Sequence, residues 1–142
     1  MELKDVADLF DRGFDCTQCV VAAFRDELGE DYDTVMKSAA CLGMGMFQRA
    51  ICGAALGAMV VIGWRYGTAE PDYSAKGLCL IKRQQFFKEW GEGHDGLTCP
   101  DLMGLDVTTS EGNLQAYAQG KYQNDCPRLC LKAIEITKRL IE

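Results

Sequence analysis

The stretch Ala50-Ile51-Cys52-Gly53-Ala54-Ala55-Leu56-Gly57-Ala58-Met59-Val60-Val61-Ile62-Gly63-Trp64-Arg65-Tyr66 is apolar on nearly every side when wound as a helix. A helix without a polar face belongs in an interior, so a buried central helix is expected here. Gly53 and Gly57, like Ala54 and Ala58, recur four apart, and such small faces let another backbone approach closely. Gly67 ends the pattern. The apolar run 51–64 is shorter than the roughly 18 residues a spanning helix needs, so no membrane insertion is expected.

Helical spacing continues on both sides. Leu3, Val6, Ala7 and Phe10 share one face, and Gly13 closes that segment. Asp15 is a candidate N-cap for a helix over 16–28. Asp31 or Asp33 opens a third helix reaching Leu42. Gly43-Met44-Gly45 then favours a loop. Asp72 or Ser74 begins a long helix to Trp90, and 91–96 reads as a loop. Thr98 precedes a short helix start with Pro100 in its first turn. One polar helix is expected around 112–122. Asp125 is read as the cap of a last helix with Pro127 in its first turn. No alternating strand pattern stands out. The expected fold is all-α: a compact single-domain helical bundle over 1–142, built around the 50–66 helix. Trp64, Tyr66, Phe86, Phe87 and Trp90 are expected as core aromatics.

At 142 residues the chain suits one domain with a real core. Its net charge of −6 disfavours nucleic acid and anionic membrane surfaces. The single histidine, His94, excludes His-rich zinc or copper sites and reads as a solvated loop residue. Residues 1–6 carry no basic and apolar leader, so a cytoplasmic location is expected. Eight cysteines are the anomaly. In a reducing compartment they point to metal binding or redox chemistry.

Cys16, Cys99 and Cys126 each follow a capping residue at an expected helix start. Free N–H groups there favour a thiolate and lower its pKa, although a neighbouring Asp opposes this. Cys52 follows the glycine-rich loop near the start of the buried helix. Cys16 and Cys19 form a C-x-x-C pair, but helix and turn precede it where a thioredoxin would have a strand. Cys41, Cys79 and Cys130 lie in apolar helical stretches and are expected as core filler. Arg49, three residues before Cys52, is a weaker candidate for lowering a thiol pKa.

Taken together, Gly13-Phe14-Asp15-Cys16, Gly43-Met44-Gly45, Cys52-Gly53-Ala54-Ala55-Leu56-Gly57, Cys99 before Leu102 and Gly104, and Cys126 give the chain its resemblance to the C_GCAxxG_C_C family of redox-active proteins. The resemblance spans essentially the whole chain. It implies a redox role and carries the four family cysteines onto Cys16, Cys52, Cys99 and Cys126. A related domain occurs in split-Soret-type cytochromes, but this chain has no C-x-x-C-H haem site. Cys19 is an addition to the family pattern.

Four uses of these cysteines stay open. Cys16, Cys52, Cys99 and Cys126 could ligate an iron–sulfur cluster for electron transfer, although their spacing matches no ferredoxin run. They could form a dithiol–disulfide pair, attacking from Cys16 and resolved by Cys19, Cys52 or Cys126. They could hold structural zinc. Or they could be core filler in a helical binding module whose surface is Met44-Gly45-Met46-Phe47. The first two call for a redox partner protein of unknown identity. A homodimer through the exposed part of the central helix is a further candidate.

Overall fold

The computed structural model describes residues 1–92 and 96–142, and the expectation for His94 lies outside the described residues. The fold is all-α, and among the described residues the one β feature is an isolated bridge, Ile51 to Thr98. The helices are α1 (Leu3–Asp11), α2 (Cys16–Ala22), α3 (Arg25–Leu28), α4 (Tyr32–Ser38), α5 (Gly53–Tyr66), α6 (Tyr73–Trp90), α7 (Cys99–Met103), α8 (Ser110–Ala118) and α9 (Cys126–Ile141). Among the described residues no helix is long and apolar enough to cross a membrane.

The central helix is α5, packed against α2, α6 and α9. It buries Gly53, Ala54, Ala55, Gly57, Ala58, Val61 and Ile62, as its composition requires. Its glycines set how near α2 can come. A Cβ on Gly57 would sit 2.8 Å from both the Thr17 carbonyl oxygen and Val20 Cβ. The amphipathic α9 closes the other side with Leu129, Cys130, Ala133, Ile134 and Leu140. Tyr66 donates its hydroxyl to the Leu140 carbonyl at 2.6 Å, fixing the end of α5 against the end of α9. Phe86 and Trp90 are fully buried, whereas Trp64, Tyr66 and Phe87 are only partly so.

Several expected elements are shorter than the sequence pattern suggests. The 16–28 helix breaks at Phe24 (φ −108°, ψ 25°), which leaves the helical path with its ring fully buried. Core burial here outweighs helix continuation. The third helix stops at Ser38 instead of Leu42, and a turn follows. That turn brings Gly43 so close to Asp15 that a Cβ there would lie 2.2 Å from Asp15 Cγ. Asp125 is not a cap. It has helical dihedrals, makes no capping bond, and pairs with Lys121 at 3.3 Å in the wide turn Lys121–Asp125 leading into α9. Asp15, Asp72 and Thr98 do cap, accepting from Gln18, Ala75 and Asp101 N–H groups respectively.

Two apolar clusters result. The larger fills the bundle and includes Cys19, Cys52 and Cys130. The smaller gathers Cys99, Met103, Val107 and Ala116, with Tyr122 and Cys126 against it.

Candidate four-cysteine site

Between the two clusters lies a cavity of about 330 Å³. Cys16, Cys52, Cys99 and Cys126 all line it. Each reaches it from a different element. Cys16 is the first residue of α2, Cys99 the first of α7 and Cys126 the first of α9, while Cys52 is the cap position of α5.

Local backbone chemistry explains why four remote segments meet. The β-bridge ties the α5 start to the α7 start: Cys52 N–H donates to the Leu97 carbonyl at 2.7 Å, and Cys99 N–H to the Ala50 carbonyl at 3.2 Å. Those two bonds bring Cys52 and Cys99 onto one rim. Cys16 is seated by Gly53, where a Cβ would fall 2.1 Å from its Sγ. That glycine of the C-G-A-x-x-G hexad is therefore space for a sulfur. Thr17, fully buried, donates its hydroxyl to the Gly53 carbonyl at 2.8 Å and locks α2 on α5. Met44 N–H donates to Cys16 Sγ at 3.3 Å.

The approach loop is strained. Met44, Met46, Phe47 and Arg49 all hold left-handed dihedrals, with φ from 54° to 57°. Each costs on the order of 1 kcal/mol for a residue with a Cβ, and such strain concentrates at functional sites. The loop exposes Phe47, at 73% of its surface, and directs Arg49 to the cavity.

The electrostatics differ from the expectation drawn from helix starts. Burial pushes the Cys16 thiol up, aided by the Asp15 charge and opposed by the Met44 N–H. Burial and then Cys16 push Cys52 up to about 12. The same two causes raise Cys99 to about 11, against a lowering by Arg49. Cys126 is raised by burial and then by Cys16, Cys52 and Cys99. The lowered thiol pKa values expected at these helix starts are thus overturned. Desolvation and crowding of sulfurs exceed the help from first-turn N–H groups.

The remaining cysteines separate into three positions. Cys19 is fully buried beside the cavity but not in its lining, and burial followed by Cys16 pushes it up to about 12. Cys130 is fully buried and donates its thiol to the Cys16 carbonyl at 3.5 Å. Cys41 is exposed and Cys79 only half-buried, so of the three expected fillers Cys130 alone is core. No disulfide joins any of the eight cysteines.

Sequence reasoning did not anticipate Tyr117, Tyr122 or Asp15 in the lining, nor Asn113 behind it. Tyr122 and Asn113 fall in the polar 106–123 segment, where no apolar period points to a site. Among the described residues no three His, Cys, Asp or Glu side chains are grouped so that they could hold one metal ion.

A family model described as "Putative redox-active protein (C_GCAxxG_C_C)" matches residues 14–140. No curated protein and no solved structure matches the chain.

Proposed function

The chain belongs to the C_GCAxxG_C_C redox-active family, and on that premise we propose that Cys16, Cys52, Cys99 and Cys126 hold an iron–sulfur cluster that passes single electrons between partner proteins. The observation that carries this reading is four family cysteines around one cavity of about 330 Å³. A lone zinc ion needs its sulfurs about 2.3 Å from one point, and no such grouping exists among the described residues. A cluster spreads its thiolate ligands over several metals and suits a wider ring of sulfurs.

The thiol chemistry supports the same reading. A dithiol enzyme needs an attacking thiolate of lowered pKa. Here burial raises all four, and each thiolate formed would repel the others. Bound metal reverses that logic, because coordination deprotonates thiols outright. The cluster, when bound, supplies reversible one-electron chemistry. The chain's own residues do the rest. Phe10, Phe14, Leu102 and Leu129 keep water from the sulfurs. The Met44 N–H orients Cys16 Sγ, and the bridge between Ile51 and Thr98 holds the Cys52–Cys99 rim rigid.

The test is iron and acid-labile sulfide per chain, with the visible spectrum, on protein purified without oxygen. Brown protein with comparable iron and sulfide is expected. Serine at Cys16, Cys52, Cys99 or Cys126 should each strip most of the iron, and Cys41→Ser, at the surface, none. Colourless protein carrying zinc would overturn the reading in favour of a structural site. Colourless metal-free protein with two reversibly oxidised cysteines would overturn it in favour of dithiol chemistry.

A further inference from the structure

Among the described residues, Arg49 is the one cationic side chain in the cavity lining. Its guanidinium is held on two sides. Nε donates to the Val107 carbonyl at 3.4 Å, and Nη2 donates to Asn113 Oδ1 at 3.2 Å. Asn113 Oδ1 also accepts the Tyr122 hydroxyl at 2.5 Å. The plane lies near the Tyr122 and Phe47 rings, at 5.8 and 5.6 Å from their centroids. Nη1 is buried and has no hydrogen-bond partner among the described residues.

That combination needs a cause. Buried donors are almost always satisfied, and an arginine fork usually meets a carboxylate. The two ion pairs of the described residues, Lys121–Asp125 and Arg139–Glu89, do not involve Arg49. Asp15, the acidic group of the lining, accepts instead from Gln18 N–H at 3.0 Å. The chain also adopts a left-handed backbone at Arg49 itself (φ 54°) to deliver this side chain. Strain and an unsatisfied donor meet at one residue; an anion in the cavity would satisfy the donor, and that interaction would offset the cost of the strained backbone that places it.

We propose that Arg49 is the counter-charge of the four-cysteine centre, its free Nη1 donating to the anionic group bound there and favouring the more negative, reduced state. This rests on the cluster reading above. Reduction adds one electron from a donor protein to the centre. No bond forms or breaks, and Arg49 stays protonated throughout. A fixed positive charge beside the centre therefore raises its reduction potential.

The experiment is potentiometric titration of the iron-loaded protein and three variants, with iron and sulfide measured on each sample. Arg49→Gln removes the charge and should shift the equilibrium about tenfold toward the oxidised state, which is about 59 mV downward for one electron. Arg49→Lys keeps the charge and should recover most of that shift. Asn113→Asp leaves the cavity lining intact but gives Arg49 a carboxylate partner, and it should lower the potential in the same direction. Asn113→Asp also guards against an Arg49 variant that fails to load. Unchanged potentials in loaded Arg49→Gln, or in loaded Asn113→Asp should Arg49→Gln not load, would overturn the counter-charge while leaving the cluster reading intact. A wild-type protein without iron and sulfide would overturn the cluster reading itself, and the counter-charge with it.

Discussion

Gly53 and Gly63 stand ten residues apart on one helix and should respond to the same substitution with opposite signs. Alanine in a helix gains roughly 0.5–1 kcal/mol over glycine when there is room for the methyl. At Gly63 a Cβ meets nothing within 4 Å. Gly63→Ala should therefore raise stability by about 0.5–1 kcal/mol and leave cluster loading unchanged. At Gly53 the same methyl would lie 2.1 Å from Cys16 Sγ, 3.0 Å from Thr17 Oγ1 and 3.2 Å from Gly43 Cα. Sulfur, hydroxyl and backbone cannot all retreat, and overpacking of this kind costs roughly 1–3 kcal/mol. Gly53→Ala should lower the urea midpoint and displace Cys16, reducing iron content. A Gly53→Ala protein as stable and as fully loaded as wild type would show that the glycine is not there for the sulfur.

At the scale of elements, the site depends on short pieces. α7 has five residues, and its cap, the bridge to Ile51 and the packing of Cys99 and Met103 in the smaller cluster hold Cys99 in place. Thr98 takes part in the first two, accepting from Asp101 N–H at 3.3 Å. Asp72 caps the long α6 in the same manner, away from the cavity. Removing either cap should cost about 1 kcal/mol. Thr98→Ala should also shorten the half-life of iron release to a chelator, and Asp72→Ala should not. Equal release rates in the two variants would deny α7 this local role. This scale also marks what was legible in the sequence. The buried α5, the capped α6 and the amphipathic α9 follow from apolar period and caps, because long helices average over many residues. The four cysteines were legible through the family pattern. Their meeting was not, because it depends on a two-residue bridge and on left-handed dihedrals at Met44, Met46, Phe47 and Arg49. Neither leaves a periodic trace, and left-handed methionine and phenylalanine run against local preference. The break at Phe24 was hidden for the opposite reason: its apolar spacing reads as helix, and tertiary burial decided otherwise.

For the whole molecule, the site makes the reduced, metal-free chain sensitive to alkali. Burial first, and then Cys16, holds Cys52 near 12 and Cys99 near 11 in the fold, whereas free cysteine ionises at about 8.5. Below about pH 8.5 both folded and unfolded chains keep these protons, so the contribution to stability is fully present. Above it the unfolded chain gives them up and the folded chain retains them. The folded state then binds more protons, and stability falls as pH rises toward 11 to 12. Each such thiol contributes a slope of at most about 1.4 kcal/mol per pH unit. Lys132, lowered by burial and hydrogen-bonded to the Trp90 and Glu92 carbonyls, opposes this, but it is one group against several raised thiols. Urea midpoints of metal-free reduced protein should therefore decline steadily from about pH 8.5 to pH 10. On the cluster reading, loaded protein would have no thiol protons left at Cys16, Cys52, Cys99 and Cys126, while the buried Cys19 and Cys130 keep theirs in the fold, so its midpoint should decline less steeply over the same range. The gap between the two curves measures how far the fold alone resists four thiolates in one cavity. Parallel curves would mean that these cysteines are not the groups ionised on binding, and the ligand set would have to be sought elsewhere.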